Sequence, residues 1–146
     1  MAASARTGSR RRTLERLGRA VRRVLAWEGA RHARVELTLL SGPAMRQLNR
    51  RATGRRGLTD VIAYALPQPD GSLVGDVYIC PAAARQAADG APALAVELLR
   101  LAVHGTLHVV GYDHPDGPSR TRSAMWRRQE RYVARLLGAG RAAARR

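Results

Sequence analysis

Between Ala93 and Val110 the chain reads A-L-A-V-E-L-L-R-L-A-V-H-G-T-L-H-V-V, a helical stretch in which apolar side chains leave almost no polar face. A helix apolar on nearly every side is stable only in an interior. Any fold for this chain therefore has to be built around this segment. Two of its few polar side chains are His104 and His108, four residues apart and so stacked on one face about a turn from each other. Gly105 between them costs about 1 kcal/mol relative to Ala in a helix interior. That cost implies that another element, or a substrate, comes close beside His104.

Gly111 follows the helix and offers a left-handed stop, because glycine has no Cβ to clash in that conformation. The chain can turn there and bring His114 back toward the first two imidazoles. Three neutral imidazoles with an open fourth position are what a catalytic zinc site needs. Asp113, next to a ligand, and Glu97, seven residues before His104 on a similar helix face, are candidates to orient an imidazole through its second nitrogen. The fourth histidine, His32, has no partner in the motif and is expected on the surface.

The spacing of His104, His108, Gly111 and His114 matches the metzincin zinc peptidases, which also need a glutamate directly after the first histidine as general base. Here that position is Gly105. Peptide hydrolysis by their route is therefore not expected. A three-histidine zinc still brings the pKa of water near neutrality and polarises a phosphoryl oxygen, so a phosphodiester suits the site.

Charge points the same way. All 26 basic residues are arginine, against 11 acids, for a formal net charge of +15. The excess persists when residues 1–12 and 141–146 are set aside, so it belongs to the domain. Such a balance favours a polyanionic partner bound with counterion release. Nucleic acid is favoured over a membrane, since no long apolar run and no lipidation signal occurs. The single cysteine, Cys80, excludes an internal disulfide and suits a reducing cytosol; its apolar surroundings predict a buried packing role.

At 146 residues the chain suits one domain. With no Phe, its core must come from Leu, Val and Ala. Residues 1–12 read as a disordered basic tail, 13–138 as the domain and 139–146 as a second basic tail. Thr13 is placed to cap an amphipathic helix over 14–27, ended by Gly29. A strand is expected over 35–40, then a short helix from Pro43 capped by Ser41. Strands over 61–66 and 73–80 flank P-Q-P-D-G-S and predict an antiparallel hairpin. A short helix over 81–88, the apolar helix, and a final helix over 119–137 stopped by Gly138 complete the pattern.

The stretch H-G-T-L-H-V-V-G-Y-D-H closely resembles the signature of the YbeY family of bacterial zinc-dependent endoribonucleases, also called rRNA maturation factors. M-R-Q-L-N (45–49), T-D-V-I-A-Y (59–64) and G-D-V-Y-I (75–79) resemble further family segments in the right order. Together they span roughly residues 14–137. The resemblance implies an α+β fold, a single compact domain with a mixed sheet of about four strands packed by helices. Its zinc-hydrolase-like three-histidine site would sit on a buried helix and the following turn, with His104, His108 and His114 holding one Zn2+ per chain.

It further implies cleavage of single-stranded RNA in the cytoplasm, in 3′-end processing of small-subunit rRNA and in ribosome quality control. The partners implied are rRNA, small ribosomal subunit proteins and a ribosome-associated GTPase, with neither DNA nor membrane expected. The chain departs from the family in one functional stretch. Ala52 and Thr53 fall where a tyrosine and an active-site arginine belong, and Leu58 replaces a proline. Arg51, Arg55 or Arg56 can substitute by reach, so Arg51, Arg55 and Asp113 are the candidate catalytic residues. The same departure supports an alternative, a ribosome-assembly RNA-binding protein with a structural zinc and little nuclease activity. The apolar strand that commonly begins family members also has no counterpart in residues 1–12.

Overall fold

The computed structural model describes residues 2–145. α1 (Ala2–Trp27) is followed by β1 (Ala33–Leu39), α2 (Gly42–Thr53), β2 (Val61–Pro67), β3 (Leu73–Ile79), α3 (Pro81–Ala87) and α4 (Gly90–Val109). A short 3-10 turn (Pro118–Arg122) leads into α5 (Ala124–Ala144).

β3 is the middle strand of a mixed sheet in the order β1-β3-β2, parallel to β1 and antiparallel to β2. The hairpin joining β2 to β3 forms where its turn residues stand. Gly71 adopts φ 86°, and the Asp70 carboxylate accepts from the Ser72 main-chain N–H (2.9 Å) and hydroxyl (2.6 Å). The described residues contain three strands where about four were expected. The segment before β1 has no alternating pattern, and its Ala and Arg are strong helix formers.

The same propensity accounts for the chain ends. Of residues 1–12, expected as a disordered tail, Met1 lies outside the described residues and those from Ala2 on are helical as the first turns of α1. The Arg10 guanidinium donates to the Leu39 carbonyl at 2.6 Å, and Arg11 pairs with Glu15 one turn on. At the other end α5 runs through Gly138 and Gly140 to Ala144, so residues 139–144 are also helical. Neither glycine takes a positive φ, and a glycine in helical conformation weakens a helix without ending it. α5 in turn starts later than expected, where Ser123 accepts from the Trp126 N–H at 3.1 Å.

α4 lies against β2 and β3, and also against α1 and α5. Its apolar surface is consumed on all these sides: Ala102, Val103 and Leu107 are fully buried with Leu17, Val24, Val77, Ile79 and Met125. Burying a Leu or Val side chain contributes about 1.5–3 kcal/mol, so packing of the helix that carries the histidines also stabilises the fold. Its approach to the sheet depends on two glycines. A Cβ on Gly105 would lie 2.5 Å from Val77 of β3, and one on Gly75 would lie 2.4 Å from Val109 of α4. The close neighbour implied by Gly105 is thus the middle strand.

Candidate metal centre

His104 and His108 leave α4 near its C-terminal end. Gly111, at φ 110°, then turns the chain in a conformation closed to most side chains. The Gly111 N–H donates to the His108 carbonyl (3.1 Å) and the Tyr112 N–H to the Leu107 carbonyl (3.0 Å), fastening the turn to the helix end. His114 comes back over the helix, and the three imidazole centroids lie 4.6, 5.0 and 4.9 Å apart. One ligand atom from each ring lies within 4.8 Å of the others, so a single ion can gather all three.

Each ring is held by its other nitrogen. His108 Nδ1 is 3.0 Å from the Tyr112 carbonyl, and His114 Nδ1 is 3.0 Å from the Pro115 carbonyl. A carbonyl only accepts, so in both rings Nδ1 carries the proton and Nε2 keeps its lone pair. His104 Nδ1 lies 2.7 Å from Oε1 of the buried Gln129, an acceptor that selects the same tautomer. Three Nε2 lone pairs are therefore presented together, which is the chemistry a borderline-soft divalent ion such as zinc requires.

Burial disfavours the charged form of His104 and His108. Desolvation lowers the His104 pKa to about 4; the Gln129 hydrogen bond opposes the shift, while the neighbouring His108 and His114 add to it. His108 is lowered in the same way, by burial and then by His114, against its bond to Tyr112. Both shifts favour the neutral ring, so protons compete less with a metal there.

The imidazoles face an open cavity of about 580 Å³, whose other walls include Thr59, Asp60, Val61, Asp113, Asp116 and Arg120. The Asp60 carboxyl is pushed up by burial and by the charge of Glu97; main-chain N–H groups and Arg120 pull it back in part.

The turn itself is buttressed. Glu28, at the end of α1 with its side chain only 8% exposed, pairs with Arg128 of α5 at 3.0 Å and accepts from the Tyr132 hydroxyl. Burial would raise this carboxyl, but hydrogen bonds from Tyr132 and Tyr112, together with Arg128, hold it below the usual range. Arg128 in turn lies over the Tyr112 ring, 5.0 Å from its centroid. Tyr112 is the residue whose carbonyl orients His108, so α1 and α5 both hold the histidine turn in place.

Of the residues expected at a site, the structure brings His104, His108 and His114 together. Asp113 lines the cavity, but its carboxylate accepts from the His114 main-chain N–H at 2.9 Å and not from an imidazole. Glu97 pairs with Arg100 at 2.8 Å, away from the histidine nitrogens. Arg51, Arg55 and Arg56 are exposed around the end of α2 and do not line the cavity. Thr53, standing where the family arginine belongs, donates to Asn49 (2.8 Å to the main-chain oxygen, 2.9 Å to Oδ1) and accepts from the Arg55 N–H. His32 lines a separate hollow beside Glu28.

Three further residues were not among the candidates: Gln129, buried behind His104, and Asp60 and Arg120, which line the cavity. Gln129 had a legible signal, because it stands four residues from both Met125 and Val133 on the apolar stripe of α5. Asp60 stood in the T-D-V segment without a role. Arg120 follows Gly117 and Pro118 in a turn with no period to read.

An α+β domain with three histidines gathered on a helix and the turn after it, opening on a polar cavity, defines a protein whose histidine cluster could hold a metal ion. Comparison narrows the class. The family model for endoribonuclease YbeY matches residues 4–137. The endoribonuclease YbeY of Moorella thermoacetica is 42% identical over 114 residues, covering 69% of this chain and 73% of that one. That of Chlorobium phaeovibrioides is 34% identical over 127 residues, covering 86% and 82%. That of Mycolicibacterium gilvum is 38% identical over 96 residues, and there the match spans 54% of the relative. A solution structure of a Thermotoga maritima protein superposes with a TM-score of 0.61 at 28% identity, covering 90% of this chain and 86% of that one. The chain belongs to the endoribonuclease YbeY family.

Proposed function

We propose that this chain is a zinc-dependent endoribonuclease that cuts single-stranded RNA, acting on rRNA in the maturation of the small-subunit 3′ end and in ribosome quality control. The observation that carries the reading is the matched set of Nδ1 donations, which leaves three Nε2 lone pairs converging at an open cavity. The names of the relatives supply RNA as the substrate class, and the arginine excess suits a polyanion.

His104, His108 and His114 would hold the ion. When bound, it supplies Lewis acidity at the face where the three nitrogens converge. The chain's own residues do the rest. Arg120 sets a fixed positive charge on the cavity wall, where a phosphate would lie. Asp60, whose carboxyl is raised by burial, is suited to hold a proton in the same cavity. Asp113 fixes the main chain of His114. Arg51 and Arg55, exposed beyond the cavity, would hold the RNA backbone rather than the reacting phosphate. Gly105 leaves no carboxylate beside His104 for a peptidase mechanism.

No helix of the described residues is long and apolar enough to cross a membrane, and Cys80 is buried and unpaired; both suit a cytoplasmic site of action. The partners proposed there are proteins of the small ribosomal subunit and a ribosome-associated GTPase.

Thr53 favours one second reading, an RNA-binding assembly protein in which the metal is structural. The His114→Ala variant separates the two. For the enzyme, single-stranded rRNA fragments bind with wild-type affinity in an anisotropy titration while cleavage is lost, and the variant fails to rescue a ribosome-maturation defect in cells. Rescue by a variant that binds but does not cleave would establish the assembly role instead.

A further inference from the structure

The N-terminal half of α4, α1 and the far end of α5 leave an open groove of about 610 Å³ that shares no residue with the histidine cavity. Ala20, Leu99, Leu136 and Leu137 give it an apolar floor. Every charged group on its walls is an arginine: Arg16, Arg19 and Arg23 from α1, and Arg141 from α5. The ion pairs among the described residues engage none of these four. Spaced by three and four residues, the α1 arginines share one helix face and extend along about 10 Å of its axis.

We propose that this groove is a docking site for an acidic amphipathic helix of a partner protein. Such a helix lays an apolar stripe on the alanine and leucine floor, with carboxylates at successive turns meeting the arginine row. Charge complementarity selects an acidic occupant, and the floor selects a peptide over RNA. Phosphates would also be drawn to the arginines, but no aromatic ring lines the groove for a base to stack on. The nearby indole of Trp27 is already covered by Arg135 at 4.2 Å, Arg23 at 5.4 Å and the Tyr132 ring at 5.1 Å.

The test uses the full chain and a fluorescein-labelled peptide of about 18 residues, long enough to form a helix, with leucines at helical period flanked by glutamates. A scrambled peptide of equal composition and a single-stranded RNA oligonucleotide serve as comparisons. Saturable binding is expected for the periodic peptide, with the scrambled one at least about tenfold weaker. The Arg16→Glu/Arg19→Glu variant should lower peptide affinity by at least about tenfold, with RNA cleavage and thermal midpoint unchanged. Leu137→Glu, which puts a carboxylate on the floor, should do the same. No binding of the periodic peptide, equal binding of the scrambled one, or displacement by RNA whose own affinity falls in the double variant would each overturn the proposal.

Discussion

Gln129 of α5 reaches across to α4 and places its side-chain oxygen 2.7 Å from Nδ1 of His104. Its side chain is essentially without solvent access, so this bond has no water to replace it. A neutral amide acceptor fixes the imidazole tautomer without adding charge to the site, and it ties the last helix to the metal centre. Replacing it with Met keeps the volume and removes the acceptor. Zinc affinity of Gln129→Met, measured by competition with a chromophoric chelator, should fall about 10–100-fold, while Gln129→Glu keeps most of it.

Gly105 answers to β3, not to the chemistry. Its Cβ would lie 2.5 Å from a methyl of Val77, a stiff β-branched side chain that is itself fully buried. Gly105→Ala should therefore lose about 1–3 kcal/mol in urea unfolding despite its better helix propensity. The double variant Gly105→Ala/Val77→Ala should lose less than the two single losses combined.

Burial of His104 makes the metal-free protein sensitive to acid. Its pKa falls from 6.5 to about 4 on folding, so between those values the unfolded chain binds more protons than the folded one. Stability from this group is full above pH 6.5, declines as pH drops toward 4, and then levels off, by about 3 kcal/mol at most. His108, also lowered, adds in the same direction. Urea midpoints of chelator-treated protein from pH 7 to 4 should trace this fall, and His104→Asn should flatten it.

Arg120 is the arginine on the cavity wall. Arg120→Ala should reduce cleavage of single-stranded RNA by at least about tenfold, with zinc content unchanged. Arg51→Ala and Arg55→Ala, removing exposed charges outside the cavity, should mainly weaken RNA binding and make its loss with salt shallower than in wild type.

What could be read in advance follows from how local each signal is. The clustering of the three histidines was legible because they lie within eleven residues, and a helix followed by a glycine turn converts that spacing directly into geometry. The central place of α4 was legible from its lack of a polar face. Gln129 stood on an apolar stripe between Met125 and Val133, a conflict of pattern that marks a buried polar role, but its partner lies 25 residues away. Arg120 reaches the cavity through an irregular turn, and nothing in its neighbours announces that. The expected fourth strand came from likeness to a family, whereas the segment before β1 follows its own Ala and Arg propensity into α1. Gly138 was read as a stop, yet only a left-handed conformation would have made it one.

The most direct measurement is cleavage of a single-stranded rRNA fragment by chain loaded with one equivalent of zinc, stripped with chelator, and then reloaded. Cleavage should accompany one zinc per chain, disappear on stripping and return on reloading, and the His104→Ala, His108→Ala and His114→Ala variants should neither retain zinc nor cut. Cleavage that survives complete removal of metal, or a fully loaded chain that leaves the RNA intact, would contradict the assignment of these three histidines to a catalytic metal centre.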